Sequence, residues 1–139
     1  RELGLEMREI TMTHLKNGGA IILFPAGKVA CSETWFGPGI EAEWNLFTHK
    51  MIHNSGAMIL PMHFTGQNSR AYQIANKVSA TLRQSLLLHE IKRALFKPQR
   101  PHIGAPIPAS VLEQWKGNPR GFLAWLRQHT LDLGKALGH

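Results

Sequence analysis

The 139-residue chain is long enough for one hydrophobic core, and its 16 Lys plus Arg against 9 Asp plus Glu give a formal charge of +7, which turns it towards anionic partners. No apolar run approaches the length that crosses a bilayer, and the single cysteine, Cys31, excludes a disulfide framework and a cysteine-based zinc site. Helix-turn-helix, RNA-binding and zinc-finger patterns are absent, so nucleic acid has only charge in its favour. The chain opens on Arg1 rather than Met, and we read it as a piece of a longer protein.

Residues 2–17 predict an amphipathic helix, with Leu3, Met7, Ile10 and His14 at helical spacing and Asn17-Gly18-Gly19 as its stop. The apolar run Ala20–Phe24 then predicts a strand that ends at Pro25, which has no N–H to donate. Backbone amides crowded at the turn through Gly27, with Lys28 beside them, suit an anion. A loop follows in which Trp35 and Phe36 are candidates for core packing or for a membrane surface.

Residues 40–54 predict a second helix, with Ile40, Trp44, Phe47 and Met51 on one stripe and Ser55-Gly56 as its end. Ala57–Phe64 predicts a second strand, kept from a central position by Pro61. Two helix–Gly–strand units of similar length predict an α/β fold, a mostly parallel sheet flanked by helices with these two strands as neighbours. Asn68 or Ser69 is placed to cap the next helical stretch, whose periodicity runs through Ile74, Val78, Leu82, Leu86–Leu88, Ile91 and Leu95. Near Ser79–Ser85 that pattern fits one long helix or two pieces. His102–Pro108 predicts a short edge strand, and Ser110–Lys116 and Pro119–Leu137 predict two helices, the second carrying Phe122, Leu126, His129, Leu133 and Leu137 on one stripe.

Among eight histidines, His14, His63 and His129 sit in patterns that predict packed structural roles. His49 and His53 share a helical face at i, i+4, a spacing that metals accept, but the Glu and third ligand of a zinc-protease motif are missing. No metal site is expected. Cys31 has no assignable His or Asn partner, and neither a Gly-x-Ser-x-Gly elbow nor a Walker loop is present.

Three stretches, taken together and in order, resemble the glycerolipid (lysophospholipid) acyltransferase superfamily. Ile22-Leu-Phe-Pro-Ala-Gly-Lys-Val is similar to its third block, commonly Phe-Pro-Glu-Gly-Thr-Arg-Ser. Gly56-Ala-Met-Ile-Leu-Pro-Met-His-Phe-Thr-Gly-Gln-Asn-Ser is similar to its fourth block, a strand built around a proline. Leu86-Leu-Leu-His-Glu-Ile and His102-Ile-Gly-Ala-Pro-Ile-Pro resemble the tail of the bacterial hemolysin-like branch, which includes lyso-ornithine-lipid acyltransferases and commonly reads Phe-Pro-Ala-Gly.

The resemblance implies that residues 1–139 are the C-terminal part of a single acyltransferase-like domain. The parent protein would move a fatty acyl group from acyl carrier protein or coenzyme A to a lysolipid hydroxyl, in phospholipid or ornithine-lipid synthesis, with no bound cofactor. It would work peripherally at the cytoplasmic face of the bacterial inner membrane. The family's His-x4-Asp pair, in which His takes the hydroxyl proton and Asp orients it, has no counterpart here: no His is followed by Asp five positions later. That pair is expected upstream of Arg1, and the isolated chain is expected to be inactive. Ala26 and Val29 stand where glycerol-phosphate acyltransferases carry Glu and Arg, which favours a zwitterionic or amino-acid-headed acceptor. By position, Phe24, Pro25, Ala26, Gly27 and Lys28 would line the acceptor end, Pro61 would shape the strand beside it, and Asn68 and Arg70 would contact polar groups. Arg83, Lys92 and Arg93 would meet anionic lipid or the acidic carrier protein, with Leu86–Leu88 as apolar support. The competing expectation is a non-catalytic, basic lipid- or protein-binding module on the same fold.

Overall fold

In a computed structural model of the chain, residues 2–32, 34, 37–65 and 69–135 are described; for 2–5, 70, 73, 76, 77, 80, 82 and 83 this extends to the backbone only. The elements in order are α1 (Glu2–Lys16), α2 (Leu46–Ser55), β1 (Met62–Phe64), α3 (Arg70–Val78), α4 (Ala80–Ala94), β2 (Pro101–Ile103), a 3-10 helix (Ala109–Trp115) and α5 (Pro119–Lys135). By contacts the chain divides into two compact units, one of Arg1–Gly27, Glu43–His63 and Ile103–His139, the other of Lys28–Ala42 and Phe64–His102.

The expectation of a mostly parallel sheet is overturned. The chain is mostly helical, and its sheet has two antiparallel strands, β1 and β2. Ala20–Phe24 forms no strand, and Ile22 and Phe24 are 82% and 74% exposed. The physical reason lies in where the second apolar run finds its backbone partner. Ile59 exchanges both hydrogen bonds with Ile107 at 2.8 Å, and the Gly104 amide donates to the Pro61 carbonyl at 2.9 Å. Pro61 has no amide to return to that partner, so the exchange there is one-sided. Two residues separate the Ile59 bridge from β1 while three separate β2 from Ile107, the count of a β-bulge.

Helix ends follow local chemistry closely. α1 stops in a Schellman motif: Gly18 has φ +81°, Gly19 N–H donates to the His14 carbonyl at 2.9 Å, and Gly18 N–H donates to the Leu15 carbonyl at 3.1 Å. α2 ends at Gly56, φ +65°, as its sequence predicts. Its start lies later than predicted, because the Asn45 side chain caps it by accepting from Phe47 N–H at 2.9 Å. Ile40 instead bridges Cys31 in antiparallel fashion. Ser69 caps α3, and α3 and α4 are two pieces separated by Ser79 alone, in extended conformation. Trp35, Phe36, Asn68 and Leu137 lie outside the described residues.

The core of the first unit gathers Ile52 of α2, Ile107, Leu112 of the 3-10 helix, and Phe122, Leu123 and Leu126 of α5, with Trp44, Trp115 and Trp125 packed against it. Arg8 of α1 lies over the Phe47 ring of α2 at 4.9 Å. Gly104 permits close packing here: a Cβ would meet Pro61 Cγ at 2.9 Å and both Leu133 methyls at 3.1 Å. In the second unit Tyr72 and Ala75 of α3 are buried. Phe122 is fully buried, so Phe122→Ala should lower stability by about 3–5 kcal/mol. Gly104→Ala should cost about 1–3 kcal/mol through overpacking. Urea unfolding followed by tryptophan fluorescence measures both.

Candidate functional site

Phe24–Gly27 closes as a β-turn, with the Gly27 amide donating to the Phe24 carbonyl at 3.1 Å. Among the described residues no non-glycine residue has positive φ, so Ala26 excludes a type II turn; the geometry is type I, with proline at its preferred second position. Gly27 follows at φ +60° and redirects the chain towards Lys28. The Pro25 carbonyl accepts from Asn45 N–H at 3.0 Å, which fixes the turn to the start of α2. Pro25 has no amide and that of Gly27 is used within the turn. Among the described residues no backbone carbonyl takes the amides of Ala26 and Lys28. The turn has exposed Phe24 and Gly27 at its ends and half-buried Pro25 and Ala26 between them, and exposed Lys28 follows.

Of the residues singled out by resemblance, Phe24, Pro25, Ala26 and Gly27 are thus brought together, with Lys28 next in the chain. Pro61 is buried and packs by Gly104 and Leu133. Asn68 lies outside the described residues, as do the side chains of Arg70 and Arg83, while Lys92 and Arg93 are exposed on the last turn of α4. Leu86 and Leu87 are half-buried and Leu88 is exposed. The Cys31 thiol donates to the Val29 carbonyl of its own loop at 3.1 Å.

A second cluster was legible only as a spacing. His49 and His53 stack along α2 with ring centroids 5.9 Å apart, and His49 meets the Phe122 ring edge-on at 5.7 Å. Leu46, Lys50, Asn54 and Pro119 join them around an open cavity of about 270 Å³. The i, i+4 histidines could be read from sequence; Pro119, which lines the space, and Phe122, which packs on His49, are far along the chain and could not. Among the described residues no three His, Cys, Asp or Glu side chains come close enough to hold a metal ion. His63 is half-buried and lies against α5, where a Cβ at Gly134 would meet its ring at 2.6 Å. His129 stacks on Trp125 at 5.4 Å. Sequence reasoning also missed the carboxylate of Glu90, which accepts from the Ser69 amide at 3.1 Å and is held below its ordinary range mainly by that serine.

Burial, and then the neighbouring His53, push the His49 pKa below its ordinary 6.5. The unfolded chain therefore binds a proton at this position more readily than the folded one. The associated stability is complete above 6.5 and is lost as pH falls through the lower folded value. Unfolding midpoints at about pH 7 and about pH 5 should show a drop on acidification that is smaller in His49→Gln.

No family model, curated protein or solved structure matches this chain.

Proposed function

We propose that this chain is the acceptor-side part of a lysolipid acyltransferase of the glycerolipid type. The parent protein transfers a fatty acyl group from acyl carrier protein or coenzyme A to a lysolipid hydroxyl. The single observation that supports this reading is the turn at Phe24–Gly27. It forms as a local unit, is anchored at Asn45, and opens on exposed Phe24, with exposed Lys28 following it in the chain. A lysolipid needs both: an apolar neighbour for its chain and a charge or amide for its head group. The motif order along the chain adds to this, and the proposal does not depend on a parallel sheet.

In the reaction, the acceptor oxygen attacks the thioester carbonyl, its proton passes to a histidine base, the carbon–sulfur bond breaks, and the thiolate takes the proton. The chain contains no His-x4-Asp pair, so in this reading the base is supplied from outside it. Phe24–Lys28 then hold the acceptor, and the protein acts at the cytoplasmic membrane face. The second reading is a non-catalytic, basic lipid- or protein-binding module, for which the +7 charge speaks.

Two measurements test the proposal on the 139-residue chain. Titration with lysolipid below its micelle concentration, followed by amide chemical shifts, should move Gly27 and Lys28, and Phe24→Ala with Lys28→Ala should weaken binding roughly tenfold. Transfer of labelled acyl groups to lysolipid should be undetectable, since a missing general base costs about 10²–10⁴ in rate. Absence of lysolipid binding at the turn sinks the reading. Robust turnover by the chain alone would place the base within it and overturn the assigned roles.

A further inference from the structure

α4 carries an apolar ridge on the side away from its packed face. Leu88, Ile91 and Leu95 recur at i, i+3 and i+7, which puts them on one stripe of a helix, and Leu95 keeps helical backbone angles at the C-cap. They are 70%, 50% and 68% exposed, and Phe96, next in the chain, is 85% exposed. The half-buried residues of the same helix, Leu86, Leu87 and Glu90, lie round the other side, where the Glu90 carboxylate reaches the Ser69 amide that opens α3.

Between residues 86 and 100, Glu90 is the one acid, and it is engaged inward. Lys92, Arg93, Lys97 and Arg100 are all exposed. Lys92, four residues after Leu88 and three before Leu95, borders the ridge, Lys97 and Arg100 follow Phe96 in the chain, and Arg93 lies round towards Glu90. We propose that this face of α4, with the turn that follows it, docks on an anionic bilayer surface, lying in the interface rather than crossing it. No helix among the described residues is long and apolar enough to cross. Leucine, isoleucine and phenylalanine side chains enter the acyl boundary, and the long stems of Lys and Arg let their charges rise to the phosphates. Charge complementarity selects the occupant. A second copy would bring a like-charged face against this one, and a neutral membrane would leave the cations without partners. The proposal deepens the lysolipid reading by naming the surface that brings the chain to its acceptor, but it needs no chemistry at Phe24–Lys28.

The test is cosedimentation of the 139-residue chain with vesicles of phosphatidylcholine alone and of phosphatidylcholine containing about 30% phosphatidylglycerol, at low and raised salt. Binding should require the anionic lipid and weaken steeply as salt rises. Lys92→Glu with Lys97→Glu should weaken it roughly tenfold or more, two charges being reversed near the surface. Leu88→Ser with Phe96→Ser should weaken it several-fold, with circular dichroism unchanged in both pairs because all four side chains are exposed. Equal binding to both vesicle types, no binding to either, or full binding by both variant pairs overturns the proposal. So does capture of a soluble acidic carrier protein that depends on these residues while vesicles are ignored. Vesicle binding without lysolipid recognition leaves this surface standing and removes the acyl-transfer reading; lysolipid recognition without vesicle binding does the reverse.

Discussion

Backbone groups outside helices must find partners, and in this chain one antiparallel pairing joins the two segments farthest apart in sequence that supply them to each other. Residues 59–64 lie against 101–107, through the Ile59–Ile107 bridge, the Gly104-to-Pro61 hydrogen bond and the β1–β2 ladder. Once that pairing forms, the segment between them in sequence becomes an excursion of two helices, and the apolar run before Pro25 has no strand to join. Gly104 lets the pair close against Leu133 of α5, so the same contact connects the sheet to the tryptophan-lined core. A buried amide left unpaired costs about as much as a lost hydrogen bond, which is why this single pairing has such reach.

Helix boundaries were largely legible because their determinants are local. Gly18, Gly56 and Ser69 act through their own backbone angles or side-chain oxygens within a turn of the helix end. The exception, the start of α2, had a local determinant too, but Asn45 sits inside a stripe of apolar residues that read as continuous helix. Strand pairing was not legible. An apolar run carries no record of its partner, and Ala20–Phe24 and Ala57–Phe64 look alike in composition, yet only the second finds one. The inference from two helix–strand units to a parallel sheet failed at that step.

The site divides in the same manner. The turn at Phe24–Gly27 was readable, since proline fixes one angle and glycine frees another. Its anchoring at Asn45 was not, being set by how two segments meet. The pairing of His49 with His53 was readable from helical periodicity, whereas the depressed pKa of His49 depends on burial beside α5, much later in the chain. The basic character of the α4 end was evident in sequence. Which of its leucines face outward was decided by Glu90 reaching back to Ser69, a contact between side chain and backbone that no periodicity encodes.

The two-stranded sheet has a further consequence. Its outer edges are templates on which a foreign strand can add, and exposed Leu60, Phe64 and Ile103 would make such addition adhesive. Yet on the 101–107 side Pro101 and Pro106 alternate with the inward-bonded Gly104 and Ile107, each a position where an incoming carbonyl meets no amide hydrogen. The edge is blunted covalently, residue by residue, rather than by a covering layer. The prolines that keep this sheet small thus also remove two hydrogen-bond donors from one of its edges.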